Sequence, residues 1–188
     1  MRVIAGRLRG AALFAPGGDG VRPTADRVKE DLFNIIAPDV AEASFLDVYC
    51  GTGQIGIEAL SRGAESVVFV EADKQAAELV AKNIAKCKMS EESTLIRTDA
   101  QSAFKKLEAL GRTFSIVFLD PPYAADELVG AIRALARGRL LREGALVIIE
   151  QPADALPCNT QKLQVYKEKK YAATKLTFLR YTGERDTP

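Results

Sequence analysis

The stretch FLDVYCGTGQIGIEAL, residues 45–60, decides the fold. An apolar strand runs into a glycine loop and then into a helix, and GTGQIG fits the spacing G-x-G-x-x-G. Dinucleotide-binding proteins and proteins that bind a methyl donor share this pattern. The loop therefore predicts a bound nucleoside at the start of a helix, but by itself it does not separate a nicotinamide cofactor from S-adenosylmethionine.

From this stretch onward the sequence alternates regularly between predicted strands and predicted helices. The predicted strands are nearly continuous in Val, Ile, Leu and Phe, as expected when helices cover both faces of a parallel sheet. They span Phe45–Tyr49, Ser66–Glu71, Thr94–Arg97, Phe114–Leu119 and Ala145–Glu150, with helices beginning near Ile55, Lys74, Ala100 and Ala125. This pattern predicts a doubly wound α/β domain whose ligand lies beyond the carboxyl ends of the strands, where the strand order reverses.

The two ends of the chain differ from this alternation. Leu163–Tyr171 and Thr174–Tyr181 have strand composition and only a short bend between them, which predicts an antiparallel pair. At the other end, Val3–Ala5 and Ala11–Phe14 predict a small basic hairpin. A helix capped by Thr24 and ended by Pro38 is expected next. We expect one domain, with residues 1–38 as an extension and 44–182 as the core.

Composition narrows the class of protein. The chain has 188 residues, of which 47% are hydrophobic and 27% charged, as in an ordinary globular domain. It contains no apolar run of ~18 residues and no apolar signal core at its start, so we expect a cytoplasmic protein without a membrane span. The absence of histidine excludes Ser-His and Cys-His catalysis and histidine-bearing metal sites, and we expect no metal. Cys50, Cys87 and Cys158 are expected to be small buried residues.

Charge is distributed unevenly along the chain. Residues 1–36 carry a net charge of +2, residues 37–157 carry −5 and residues 158–188 carry +4. These charges can be ordinary solvated faces. Alternatively, the two basic ends meet in space and receive a phosphate backbone.

Acidic residues at the ends of the predicted strands are candidate ligand contacts. Glu71 follows Gly51 by 20 residues, a distance at which a carboxylate can accept hydrogen bonds from ribose hydroxyls. The alternative for Glu71 is a cap on the next helix. Asp99, followed by Ala100, is suited to the exocyclic amine of an adenine, and Asp47 is too polar for its strand unless it faces the ligand. These contacts serve NAD and S-adenosylmethionine equally.

The stretch FLDPPYAADE, residues 118–127, favours methyl transfer to a nucleobase amine. The lone pair of such an amine is delocalised into the ring, and two acceptors facing its N–H bonds would free that pair. The Asp120 carboxylate and the Pro121 carbonyl can be these acceptors, with Pro122 fixing the backbone. Tyr123 can stack on the base plane. D-P-P can alternatively be a simple strand terminator.

The chain resembles the RsmD family, which methylates the exocyclic N2 of a guanine in bacterial small-subunit ribosomal RNA. The resemblance covers nearly the whole chain and is carried by RVIAGRLRG, RPTADRVKEDLFNII, DVYCGTGQIGIEALSRGA, VEADKQA and FLDPPY. The first two motifs are the specific ones, whereas G-T-G and D-P-P-Y also occur in methyltransferases acting on adenine in DNA, on protein glutamine and on other RNAs. The resemblance implies a Rossmann-like class I methyltransferase fold, with a mostly parallel seven-stranded sheet and an antiparallel C-terminal strand.

The same resemblance implies the roles of individual residues. The donor S-adenosylmethionine, which leaves as S-adenosylhomocysteine, would contact Asp47, Tyr49, Gly51, Thr52, Gly53, Gln54, Glu71, Ala72, Asp99, Ala100 and Asp120. The target guanine would be held by Asp120, Pro121, Pro122 and Tyr123. The RNA would be bound by Arg7, Arg9, Arg22, Thr24 and Arg27.

The implied substrate is guanine 966 of 16S ribosomal RNA, within the small subunit or an assembly intermediate, and the enzyme would act as a monomer. An N6-adenine methyltransferase acting on DNA or another RNA stays open as an alternative. A nucleotide-binding scaffold without catalysis and an NAD-dependent oxidoreductase are weaker alternatives.

Overall fold

A computed structural model describes residues 1–16, 23–121, 125–155 and 160–183, with the backbone alone at residues 23–25 and 125–126. The helices are α1 (Pro23–Ile35), α2 (Ala37–Val40), α3 (Gln54–Ser61), α4 (Lys74–Lys86), α5 (Ala100–Ala109) and α6 (Ala125–Arg137). The strands are β1 (Ser44–Val48), β2 (Ser66–Val70), β3 (Ser93–Ile96), β4 (Phe114–Leu119), β5 (Leu141–Pro152), β6 (Leu163–Lys170) and β7 (Thr174–Tyr181).

The seven strands form one sheet in the order β3-β2-β1-β4-β5-β7-β6. The first five strands pair in parallel, and β7 runs antiparallel to both β5 and β6. Strand order reverses between β1 and β4, so this pair marks the switch point at which a ligand is expected. The predicted doubly wound α/β fold with an antiparallel C-terminal strand is confirmed.

Alternate side chains of each parallel strand enter different layers of the core. In β1, Phe45 packs in one cluster with residues of α1, α3 and α4, while Leu46 packs in a second cluster with residues of α5 and α6. Both faces of the sheet are therefore buried, which explains the unbroken apolar runs in the sequence. Among the described helices, none is long and apolar enough to cross a membrane.

Two elements differ clearly from the prediction: α1 at both of its ends and β5 at its start. Thr24 does not cap α1, because the helix begins at Pro23, whose fixed φ suits a first helical position. Pro38 does not end it either: α1 stops at Ile35, and Pro38 lies in the first turn of α2, where a missing N–H costs nothing. Strand β5 is longer than predicted because it begins before Gly144, at a register shift against β4.

The N-terminal segment forms antiparallel contacts and lies along α3. The hairpin is reduced to a bridge between Arg2 and Ala12, and the N–H of Val3 donates to the carbonyl of Ala11 at 2.9 Å. The buried carboxylate of Glu58 in α3 accepts the N–H groups of Ile4 and Ala5 at 2.7 and 2.9 Å. A helix side chain therefore fixes the course of this segment.

The two basic ends of the chain meet at α1. Asp31 accepts a hydrogen bond from the Tyr171 hydroxyl at 3.1 Å and forms an ion pair with Lys169 at 2.9 Å. Since α1 follows the N-terminal segment and Tyr171 joins β6 to β7, this contact brings both ends to one side of the sheet. That part of the charge interpretation is confirmed, while the phosphate backbone stays a prediction.

Candidate active site at the carboxyl edge of the sheet

A cavity of about 1020 Å³ opens at the carboxyl ends of the parallel strands. It is bordered by the residues that follow β1, β2, β3 and β4 and by the end of β5, so the switch point lies within it. Its described lining contains six carboxylates and neither lysine nor arginine. These carboxylates are Glu71, Asp73, Asp99, Asp120, Glu127 and Glu150. The site is therefore strongly acidic.

Glycines shape the loop after β1. Gly51 and Gly53 have φ of +56° and +75°, which a glycine adopts without strain, and Gly53 precedes α3 without a capping side chain. Gly56 lies in α3 where a Cβ would stand 2.3 Å from the Phe69 ring of β2. The three glycines thus permit the turn and the close approach of helix to sheet, as the G-x-G-x-x-G spacing requires.

Asp47 fixes the position of this loop through a hydrogen bond to the helix that follows it. Its side chain is 1% exposed, and its Oδ2 accepts the N–H of Gly56 in the first turn of α3 at 2.9 Å. Burial raises the pKa of Asp47 to about 8, against the effect of that hydrogen bond, and the charges of Asp120 and Glu71 raise it further. Asp47 does not line the cavity described above, so its contact with a cofactor stays a prediction.

Glu71 connects the ends of β1 and β2. Its Oε2 accepts the N–H of Gly51 at 2.8 Å, and its Oε1 accepts the N–H of Asp73 at 2.9 Å. The alternative that Glu71 caps the next helix is wrong, because Asp73 is the N-cap of α4 and accepts the N–H of Ala76 at 2.8 Å. A carboxylate offers about four lone-pair positions, so Glu71, which lines the cavity, retains acceptors beyond these two bonds. Ala72 lines the cavity beside it.

Asp99, Ala100 and Tyr49 form a further part of the cavity wall. Asp99 caps α5 by accepting the N–H of Ser102 at 2.9 Å, and this bond lowers the pKa of its carboxyl. Tyr49 adopts a φ of +59°, uncommon for a residue with a side chain. Burial raises the pKa of Tyr49 to about 12, with the charges of Glu127 and Asp99 adding to the shift, so its hydroxyl stays protonated.

Asp120 and Pro121 lie at the end of β4, on the same cavity. The Asp120 side chain is exposed to the cavity, yet protein surrounds it closely enough that lost hydration raises its pKa to about 7, and the Glu150 charge contributes. The predicted base contacts of Pro122 and Tyr123 fall outside the described residues. Asp120 therefore stands within reach of whatever occupies the cavity.

Besides Asp47, three of the predicted donor contacts do not line this cavity. The Thr52 hydroxyl donates to Met1 Sδ at 3.7 Å, and the Gln54 Oε1 accepts from Lys29 Nζ at 3.4 Å, so both side chains contact the N-terminal region. Gly53 is likewise absent from the cavity wall. Their roles stay predictions. Cys50 does not line the cavity either: it is buried, and burial raises the pKa of its thiol, which disfavours the nucleophilic thiolate.

The predicted RNA contacts are spread widely. Arg7 is paired with Glu92 at 2.6 Å, and its N–H donates to Ser61 at the end of α3, so it lies at the amino edge of the sheet, opposite the cavity. Arg9 and Arg27 are exposed. Arg22 and the side chain of Thr24 fall outside the described residues. RNA contact by Arg7 would therefore be remote from the acidic cavity.

The comparisons with known proteins decide the family. A sequence model of the family described as Conserved hypothetical protein 95 matches residues 1–180. A curated relative, Ribosomal RNA small subunit methyltransferase D of Haemophilus influenzae, is 37% identical over 169 residues, which cover 90% of this chain and 88% of that protein. This chain belongs to the RsmD family.

Solved structures agree with this assignment. The structure of yhhF from Escherichia coli is 30% identical and superposes with a TM-score of 0.84, covering 97% of this chain and 98% of that one. At 17% identity and a TM-score of 0.68, SMU.776, solved with S-adenosylhomocysteine, shares the fold over 87% of this chain and 52% of its own. The RsmD-family chain therefore has the class I methyltransferase fold.

The sequence interpretation missed two features of this RsmD-family chain. Glu150 lines the cavity beside Asp120, whereas the sequence pattern placed it only at the end of a strand. Lys29 is 2% exposed, its Nζ donates to the Arg2 carbonyl at 2.7 Å, and it lies 4.0 Å from the Glu58 carboxylate. A charged residue within an apolar helix stripe was the available signal for Lys29. For Glu150, the signal was an acidic residue at the carboxyl end of a parallel strand.

Proposed function

We propose that this chain transfers a methyl group from S-adenosylmethionine to the exocyclic N2 of a guanine in 16S ribosomal RNA. The expected nucleotide is guanine 966, in the small subunit or an assembly intermediate, and the enzyme works as a monomer in the cytoplasm. The named relative, a small-subunit ribosomal RNA methyltransferase, supports the substrate class.

The acidity of the cavity is the observation that carries the choice of donor. S-adenosylmethionine has a sulfonium and an ammonium against a single carboxylate, so its net charge is positive and six carboxylates favour it. The pyrophosphate of NAD would be repelled by the same groups. S-adenosylhomocysteine lacks the sulfonium charge, so the cavity also favours the donor over the product.

Residues around the loop fit this donor. Glu71 retains lone pairs for ribose hydroxyls after accepting two backbone N–H groups. Asp99 with Ala100 would contact the adenine, and Tyr49, Gly51 and Ala72 complete that part of the wall. Asp47 acts through the loop that it orders, while contacts from Thr52, Gly53 and Gln54 belong to the proposal. When bound, the donor supplies a methyl group that is already activated by its sulfonium.

Asp120 and Pro121 would hold the acceptor amine. The carboxylate of Asp120 and the carbonyl of Pro121 accept the two N–H bonds of the base, so the nitrogen lone pair becomes available. Asp120 then receives the proton that the nitrogen releases. Pro122 and Tyr123, which would fix the backbone and stack on the base, are part of the same proposal. Positioning of this kind lowers a barrier by up to ~7–11 kcal/mol.

The target base must enter the cavity while the rest of the RNA stays on the protein surface. A base within a helix has to be unpaired or flipped to enter such a site, and phosphates would be repelled by the acidic cavity. The exposed edge strand β6 carries Lys167, Lys169 and Lys170, and its attachment to α1 brings it beside Arg27. We assign phosphate contacts to this surface, together with Arg22 and Thr24, while Arg7 and Arg9 would contact the RNA farther from the target base, at the amino edge of the sheet.

The test uses the purified chain with isotopically labelled donor and small-subunit particles from a strain that lacks the enzyme. Nucleoside digestion followed by mass spectrometry should show N2-methylguanosine at one position. N6-methyladenine in the digest would favour the adenine alternative, and label confined to DNA or protein would end the proposal. Calorimetric titration with S-adenosylmethionine and with NAD tests the donor independently of the RNA.

A further inference from the structure

Glu150 lines the same cavity as Asp120 and Pro121, the residues proposed to hold the base that receives the methyl group. The β4–β5 register pairs Leu119 with Ile149, so Glu150 and Asp120 are the next residues on two neighbouring strands. Both line the cavity, and the Glu150 charge contributes to the raised pKa of Asp120. Glu150 is therefore close enough to contact the same base as Asp120.

The Glu150 carboxylate forms only a weak hydrogen bond within the described part of the protein. Its recorded hydrogen bond comes from the Thr174 hydroxyl at 3.4 Å, and that hydroxyl makes a shorter bond of 2.9 Å to the Gln151 carbonyl. Within the described parts of the chain, no lysine or arginine forms an ion pair with it. Burial raises the pKa of Glu150, with only the weak Thr174 bond opposing the shift.

The buried carboxylate of Glu58 shows the contrast, while the buried Asp47 keeps one oxygen, Oδ1, without a partner among the described residues. Glu58 accepts two backbone N–H groups and the Arg62 guanidinium, at 2.7–2.9 Å. A carboxylate that loses hydration without gaining comparable partners costs free energy. Because Glu150 lies beside Asp120 in the cavity, a ligand bound there can supply the hydrogen-bond donors that Glu150 lacks.

A guanine offers such donors. Its Watson–Crick edge carries an N1–H beside the exocyclic N2 amine, and a carboxylate oxygen can accept that N1–H. We propose that Glu150 accepts the N1–H of the target guanine, next to the N2 amine held by Asp120 and Pro121, and thereby selects guanine. This inference rests on the proposed function and adds a specificity residue to it.

The same contact rejects adenine. The adenine N1 carries a lone pair instead of a proton, so it would face the Glu150 carboxylate with repulsion and without a hydrogen bond. A site whose buried acceptor is left without its donor discriminates strongly against the wrong base. Glu150 therefore separates guanine N2 from adenine N6, a distinction that D-P-P-Y does not make.

The test replaces the target guanine by 2-aminopurine, which keeps the amine at C2 but has no proton at N1. Particles reconstituted with either base are offered to the wild-type chain, to Glu150→Gln and to Glu143→Gln, an exposed carboxylate of the same strand. The side-chain amide that Glu150→Gln introduces can donate to N1 of 2-aminopurine, whereas the wild-type carboxylate cannot. The ratio of kcat/KM for the two bases is the readout, and a merely structural role would leave it unchanged.

We expect the wild type and Glu143→Gln to prefer guanine, and Glu150→Gln to lower that preference by about 10- to 100-fold. An unchanged ratio in Glu150→Gln would overturn the inference while leaving the proposed function intact. Equal methylation of both bases by the wild type would also overturn it, even if the variant failed to fold. Absence of N2-methylguanosine with the wild type would instead overturn the proposed function, and the inference with it.

Discussion

The carboxylate of Glu71 at the end of β2 accepts the backbone N–H of Gly51 at 2.8 Å, and so joins two neighbouring strand ends at the floor of the cavity. The same carboxylate accepts the N–H of Asp73, the N-cap of α4. One side chain therefore orients the glycine loop and the turn beside it. In the proposed function this side chain also binds the donor ribose.

Glu71→Ala should weaken binding of S-adenosylmethionine by about 10- to 100-fold, because it removes hydrogen bonds to a charged acceptor and loosens the loop. Glu71→Gln keeps one acceptor and should lose less. Isothermal titration with the donor measures both, and Glu78→Gln, an exposed position of α4, is the control. Wild-type affinity in Glu71→Ala would contradict this role.

Methyl transfer should depend on the ionisation of Asp120. The acceptor form is the carboxylate, and lost hydration within the cavity, with a contribution from the Glu150 charge, raises the pKa of Asp120 to about 7. Activity at limiting donor should therefore rise with pH and level off above that value. The sulfonium of a bound donor favours the carboxylate, so the midpoint should move to lower pH when the donor saturates.

Initial rates at limiting and saturating donor, from pH 5.5 to about 9, measure both midpoints. Asp120→Asn should reduce kcat by about 100-fold or more and should lack the pH step. The exposed Asp154→Asn should behave as wild type. A rate that falls with rising pH through this range would rule out Asp120 as the acceptor.

Asp47 should make the protein less stable as pH rises. Its pKa is 3.8 ordinarily and about 8 in the fold, so the folded state holds an extra proton between these values. The free energy of unfolding therefore falls progressively from about pH 4 to about pH 8, since the unfolded state releases that proton first. Asp47→Asn retains an acceptor for the Gly56 N–H but does not titrate.

Urea unfolding at pH 5 and pH 8.5 tests this reasoning, because groups other than Asp47 titrate alike in both proteins. Asp47→Asn should gain stability relative to the wild type at the higher pH. A difference between the two proteins that is the same at both pH values would show that Asp47 keeps an ordinary pKa.

The parallel core was predictable because its signals are local. Apolar runs marked the five parallel strands, and the glycine spacing placed the switch point at β1, where the cavity lies. The attachment of the N-terminal segment was not predictable in this way. Glu58 binds Ile4 and Ala5 across more than 50 residues, and one acidic residue in a helix has no local pattern that names its partner.

Some residues of the candidate site could likewise be predicted from the sequence, and others could not. Glu71, Asp99 and Asp120 could be found because each follows a predicted strand, and parallel strands bring such positions to one edge. Arg7 could not be located from its motif, since its distance from the cavity depends on the path of the segment along α3. The direction of a basic side chain on the surface is set by partners such as Glu92.

Glu58 should be essential for stability. Its side chain is fully buried and accepts the N–H groups of Ile4 and Ala5, while the buried Lys29 lies 4.0 Å away. Glu58→Ala leaves these donors and the Lys29 charge without their acceptor, so unfolding should become easier by about 3–5 kcal/mol. Chemical denaturation measures the loss, with the exposed Glu65→Ala as the control.

Hydrogen exchange adds a local measurement to this prediction. The amides of Ile4 and Ala5 should lose protection in Glu58→Ala well before the amides of β1, because the segment detaches from α3 while the sheet persists. Uniform loss of protection across the chain would mean that Glu58 supports the core as a whole. Protection equal to that in Glu65→Ala would contradict its role in fixing the segment.

Two helical glycines should respond to alanine in opposite directions. In Gly56→Ala the new Cβ would stand 2.3 Å from the Phe69 ring, which is buried in the sheet, so α3 must move away and stability should fall by about 1–3 kcal/mol. In Gly130→Ala the nearest atom is the Nε2 of Gln101 at 3.3 Å, the end of a flexible side chain. Helix propensity should then raise stability by up to about 1 kcal/mol. Thermal unfolding of both variants compares the signs, and a stabilising Gly56→Ala would mean that the approach of α3 to β2 does not require glycine.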